Sequence, residues 1–74
     1  MTAAVAVEGR VHLALYDVRG RRVAVVHDGR LPAGRHEFSW SATDERGRPF
    51  PSGVYFARFD APDRSDVRKL LLVH

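Results

Sequence analysis

Four imidazoles, His12, His27, His36 and His74, are the groups best suited to hold a metal or move a proton near neutral pH. A zinc-type centre needs three or four convergent ligands. His12 and His36 sit in strand-like stretches that could approach across strands, yet no carboxylate is spaced to complete a site with them. Ordinary strand histidines are the simpler reading. Asp44, Glu45, Asp60, Asp63 and Asp66 invite a calcium reading, but calcium takes six to eight oxygens from a compact loop, and this spacing matches none. Turn chemistry accounts for Asp17, Asp28, Asp44 and Asp63, because an Asp side chain can bond its own downstream backbone. Ser39, Ser41, Ser52 and Ser65 stand outside any Gly-x-Ser-x-Gly elbow, with no His–Asp pair arranged around them. No glycine-rich phosphate loop opens a helix, and the neighbours Asp44 and Glu45 have no apolar pocket to separate their pKa values. The expectation is a non-enzymatic chain with no catalytic residue, no metal site and no cofactor.

The elements that would carry these groups are short. Seventy-four residues make one small domain, residues 1–74, with a thin core and a net stability of a few kcal/mol. There is no cysteine, hence no disulfide and no thiolate site. A hydrophobic content of 45% suits a folded domain, while no apolar run approaches the length of a membrane helix, so membrane insertion is not expected. The start, Met1 to Glu8, lacks the basic region and apolar length of a signal peptide. The net charge of +3 comes almost wholly from arginine, Lys69 being the one lysine. That balance can mark a nucleic-acid surface. Here Arg10, Arg19, Arg21, Arg22, Arg30, Arg46, Arg48 and Arg64 fall in or beside turns, which reads more plainly as a solvated rim.

Six stretches read as strands: Ala3–Val7, Val11–Tyr16, Arg22–His27, Arg35–Trp40, Val54–Asp60 and Val67–Val73. Alternation sets Val11, Leu13 and Leu15 against His12, Ala14 and Tyr16, and sets His36, Phe38 and Trp40 against Glu37 and Ser39. It also sets Tyr55, Ala57 and Phe59 against Val54, Phe56 and Arg58. No window sustains a helical period with caps, so no helix is predicted. Asp17-Val18-Arg19-Gly20 has the residues of a type I turn followed by a left-handed glycine, which predicts a tight hairpin. Leu31-Pro32-Ala33-Gly34 and Ala61–Ser65 predict two further reversals, and Gly53 relieves the backbone where the fifth strand begins. The long connection Ser41–Ser52 holds Pro49-Phe50-Pro51, whose prolines exclude a central strand and whose Phe50 is expected to plug the core. Trp40, Phe38, Tyr55, Phe59 and Leu13 are the expected core centre, Trp40 largely buried.

Taken in order, Tyr16-Asp17-Val18-Arg19-Gly20-Arg21-Arg22-Val23, Leu31-Pro32-Ala33-Gly34, Trp40, Gly47-Arg48-Pro49, Pro51-Ser52-Gly53-Val54-Tyr55-Phe56 and Arg68-Lys69-Leu70-Leu71 form a series. In order and spacing it resembles the immunoglobulin-like domain of the flagellar hook-capping protein. It is equally similar to the C-terminal sorting domains of bacterial type IX secretion cargo. The likeness spans about Val11 to Val73. It implies an all-β fold: an antiparallel two-sheet immunoglobulin-like β-sandwich of six to seven short strands. It also implies a non-catalytic module recognised by secretion or assembly machinery. Carried over from the family's two tail motifs, the candidate recognition residues are Gly53, Tyr55, Lys69 and Leu70. Two departures stand out. Family members commonly open with Pro-Asn-Pro and a longer first strand, whereas this chain opens at Met1; and Asp-Gly often follows the tryptophan where Ser41-Ala42 stands here.

The functional expectation is a C-terminal sorting or cell-surface attachment module of a longer exported bacterial protein, acting outside the cell or at its surface. The alternatives are a hook-capping-type assembly module and a small basic β-domain binding single-stranded nucleic acid through aromatics on a sheet face. A shortened first strand would leave an unpaired edge along Val11–Tyr16 or Val67–Val73, where a partner strand adds and where the chain weakly self-associates.

Overall fold

The computed structural model describes residues 1–40, 42–43 and 46–73; Ser41, Asp44, Glu45 and His74 lie outside the described residues. Two-residue alternation dominates the sequence, and strands result: β1 (Thr2–Val5), β2 (Gly9–Tyr16), β3 (Arg22–Leu31), β4 (Gly34–Glu37), β5 (Gly53–Asp60) and β6 (Ser65–Leu72). All pair antiparallel, in a four-stranded sheet of order β3-β2-β5-β6 and a two-stranded sheet β1-β4. The two sheets enclose one core, giving the immunoglobulin-like sandwich that the series of motifs implied.

The inward residues of the two central strands make the core. Val11, Leu13 and Leu15 of β2 are essentially solvent-free, and Ala57 and Phe59 of β5 join Val5 and Phe38 from the opposite sheet. Each of these valine, leucine and phenylalanine side chains contributes about 1.5–3 kcal/mol by leaving water. Trp40 is half-buried against this cluster, so it flanks the core where the sequence had suggested its centre. Its ring lies 5.2 Å from Phe50, which is the expected plug at 6% exposure.

The turns follow their chemistry. Gly20 N–H donates to the Asp17 carbonyl at 3.1 Å, and Gly20 takes φ +83°. The Asp17 carboxylate accepts the N–H groups of Arg19 and Arg21 at 2.9 and 3.0 Å, replacing backbone partners that a tight turn leaves open. Gly9 is buried where a Cβ would run into the Pro62 ring, so glycine alone permits that approach between the start of β2 and the β5–β6 turn.

Three expectations are corrected. The third strand runs on to Leu31, because β2 pairs with it back to Gly9, and register shifts at Leu13/Ala14 and Leu15/Tyr16 each admit an extra residue. Val11–Tyr16 is no edge: β3 and β5 flank it on both sides. His12 and His36 do not approach across strands, since they lie in different sheets. Val67–Val73, in contrast, does correspond to an edge strand, β6.

Candidate recognition surface

The residues that the sequence singled out for recognition lie on the β5–β6 ladder, but they face opposite ways. Tyr55 pairs with Leu70, and both point inward. Tyr55 is 7% exposed, lies nearly parallel to Phe50 at 5.7 Å, and donates its hydroxyl hydrogen to the Pro51 carbonyl at 2.8 Å. This geometry ties the long connection to the fifth strand; Tyr55 positions the fold and offers nothing to a partner. Leu70 is half-buried against the core. Gly53 opens β5 at φ +153°, where its lack of a side chain lets the chain turn out of Pro51-Ser52 into the ladder. Of the four candidates, Lys69 alone projects into solvent, opposite Phe56 on the outer face.

That outer face was the part least visible in the sequence. Rows of side chains cross the sheet: Arg22, Tyr16, Phe56 and Lys69 form one, and Val25, Ala14, Arg58 and Val67 the next, with Val54 and Leu71 beyond. Leu71 is 69% exposed, Val67 62% and Val25 47%. Two apolar runs carried the signal: Val23-Ala24-Val25-Val26 and Leu70-Leu71-Leu72 put apolar side chains on both faces of an edge strand. A solvated antiparallel face ordinarily alternates to polar residues.

Four of the arginines are paired locally, two of them, Arg10 and Arg58, on the outer face. Arg10 bonds Asp28 at 2.8 Å, Arg21 bonds Asp17 at 3.2 Å, Arg58 bonds Asp60 at 3.2 Å and Arg64 bonds Asp66 at 2.9 Å. Such exposed pairs contribute little stability, but they do blunt the basic footprint. The Ser65 hydroxyl, and beside it the Arg58 guanidinium, hold the Asp60 carboxyl below its ordinary value. The Arg21 backbone N–H, helped by the Arg21 guanidinium and the Arg19 N–H, does the same for Asp17.

No group of three or more metal-capable side chains converges among the described residues. His27 packs on Phe38 with ring centres 5.4 Å apart, and His36 Nε2 lies 2.7 Å from the Pro32 carbonyl, so both rings serve the fold. Among the described residues no helix is long and apolar enough to cross a membrane.

Fold and surface together define a small immunoglobulin-like β-sandwich with an apolar and basic outer sheet. Within that class, residues 3–63 match the FlgD Ig-like domain family, and the chain belongs to it. The match supports the flagellar hook-capping side of the resemblance and lends nothing to the type IX sorting side. It includes the Pro51–Phe56 motif and ends before β6, so Lys69 and Leu70 lie outside it. No curated protein and no solved structure matches the chain.

Proposed function

We propose that this domain is a non-catalytic assembly module of the flagellar hook-capping type, working outside the cell as part of a longer exported protein. It needs no cofactor, and its partner is another protein of the assembly. The observation that carries the reading is the family match over residues 3–63. The outer sheet face supports it: Val25, Val67 and Leu71 are exposed beside half-buried Tyr16 and Phe56, with Lys69 and Arg22 at the two sides. Exposed valine and leucine side chains interleaved with Arg22, Arg58 and Lys69 give this face the mix of apolar and basic groups that a protein partner can cover. A sorting role has no comparable support.

The test is genetic and structural together. Deleting the segment that encodes residues 1–74 in the source cell is expected to abolish hook assembly, counted by electron microscopy. Lys69→Glu with Leu71→Asp changes two exposed side chains and is expected to leave the domain folded while also abolishing assembly. Normal hooks in either strain, or a source cell that builds none, would overturn the reading.

A further inference from the structure

We propose that the open edge of β1 is a strand-acceptor site, taking an extended segment of another polypeptide with small or apolar side chains inward and one carboxylate facing Arg68.

The argument starts from the ladder. Met1 and Phe38 exchange both backbone hydrogen bonds, at 3.0 and 2.6 Å. Hydrogen-bonded pairs alternate along an antiparallel ladder, so Ala3·His36 and Val5·Gly34 are the next such pairs. Thr2 and Ala4 therefore aim their N–H and C=O groups away from β4, at an edge where no strand pairs among the described residues. Those four groups are a pairing template.

The other sheet edges are guarded and this one is not. The third strand carries Arg22, Asp28 and Arg30 and two register shifts; β4 carries Arg35 and Glu37; β6 carries Asp66, Arg68 and Lys69. Charges and bulges of this kind are how edges resist added strands. Thr2-Ala3-Ala4-Val5 has no charge, no proline and no register shift.

Beside this edge lies a groove of about 270 Å³. Residues Met1–Ala4 form one wall and Leu13, Ala57 and Phe59 the apolar floor. The two-stranded sheet is too narrow to cover β6, so the inward-facing Asp66 and Arg68 stay exposed and, with Arg64, make the far wall. Arg64 is already paired with Asp66 and lies over the Phe59 ring at 5.4 Å. Arg68 has no ion-pair partner among the described residues, so the groove's unmatched charge is positive. A strand seated beside β1 would fill the groove between β1 and β6 and complement Arg68 with an acid. A second copy pairing through its own β1 would bring Thr, Ala, Ala and Val and no carboxylate.

The inference rests on the proposed assembly role only for where such a partner is met; the acceptor edge is tested without hooks. The isotope-labelled 74-residue chain is titrated with the peptide acetyl-Val-Thr-Ala-Thr-Glu-Thr-amide, and amide exchange is read residue by residue. Thr2 and Ala4 N–H groups should exchange roughly tenfold more slowly with peptide, while Ala3 and Val5 stay as they were. Ala4→Pro removes an outward N–H without touching the β4 ladder and should abolish the effect in a folded chain. Arg68→Glu should reverse the preference between this peptide and its Glu-to-Lys counterpart. Unchanged exchange at Thr2 and Ala4 at millimolar peptide, full binding to the folded Ala4→Pro chain, or protection confined to β3 or β6 would each overturn the proposal. So would protection of Thr2 and Ala4 that rises with chain concentration and ignores the peptide, which would assign the edge to a second copy.

Discussion

Ala42 is the one non-glycine residue with positive φ among the described residues, at +59°. It stands where the related domains often have the glycine of Asp-Gly. In the left-handed region a Cβ crowds the following carbonyl, at a cost of about 1–2 kcal/mol. The conformation persists because its surroundings fix it. Phe50 N–H donates to the Ala42 carbonyl at 3.0 Å, Thr43 bridges Pro49, and Phe50 is locked between Trp40 and Tyr55. Ala42→Gly should release that strain, while the freer unfolded chain returns about 0.5–1 kcal/mol of it. The net expectation is a gain of about 0.5–1 kcal/mol, which in a domain of this size raises Tm by about 2–8 °C. Urea unfolding followed by Trp40 fluorescence reads the same gain as a midpoint shift of about 0.5–1 M. Ala33→Gly is the control: Ala33 lies in an exposed turn without positive φ, so the same substitution should cost about 0.4–1 kcal/mol. If Ala42→Gly destabilises the domain as Ala33→Gly does, the strain at Ala42 is not there and the reasoning fails.

Phe50→Ala should cost about 3–5 kcal/mol, comparable to the whole stability of so small a domain, so circular dichroism should show a largely unfolded chain while Phe50→Leu stays folded. Tyr55→Phe removes only the hydrogen bond to Pro51 and should lower stability by about 1 kcal/mol in the same urea assay, with the sheet face and its partner binding intact. Asp17 has a lowered folded pKa, so its stabilising effect is complete above the ordinary value of 3.8 and fades as pH falls from there through the folded value. Protection of the Arg19 and Arg21 amides, measured against their intrinsic exchange rates, should therefore fall in that acid window, and Asp17→Asn should remove this pH dependence. Because Arg10, Arg21, Arg58 and Arg64 are paired with aspartates, an oligothymidylate should not bind at physiological salt; tight binding that falls steeply with added salt would restore the nucleic-acid reading.

The parts of this fold that were legible in the sequence are those written in local chemistry. Asp17 and Gly20 specify their turn by side-chain acceptor and positive φ, and both features are present as read. The alternation of Val11, Leu13 and Leu15, and of Tyr55, Ala57 and Phe59, fixed which faces are buried, because a one-residue slip would exchange them. What depends on long-range pairing was hidden. The two register shifts between the second and third strands leave no local mark; each adds one residue, and together with the pairing of β2 back to Gly9 they carry the third strand four residues past His27. Sheet order was hidden too, which is why Val11–Tyr16 read as an edge when it is a centre. The family motifs located Tyr55 and Lys69 together, but motif position does not say which face a side chain takes: one is a core strut and the other is solvent-exposed.

The unequal width of the two sheets links these observations. Two strands cannot cover four, and β4 lies over the β3 side, where Phe38 meets His27. The shortfall therefore falls on β6, which is held by β5 alone and is exposed on both faces except near Leu70 and Leu72. On the outer side it presents Val67, Lys69 and Leu71; on the inner side, Asp66 and Arg68. A single strand thus contributes to both candidate surfaces, the outer sheet face and the groove beside β1. Filling the groove would give β6 the inner cover that it lacks and would stiffen the outer face that shares its backbone. Occupation of one surface should then favour occupation of the other, by ordering the strand common to both.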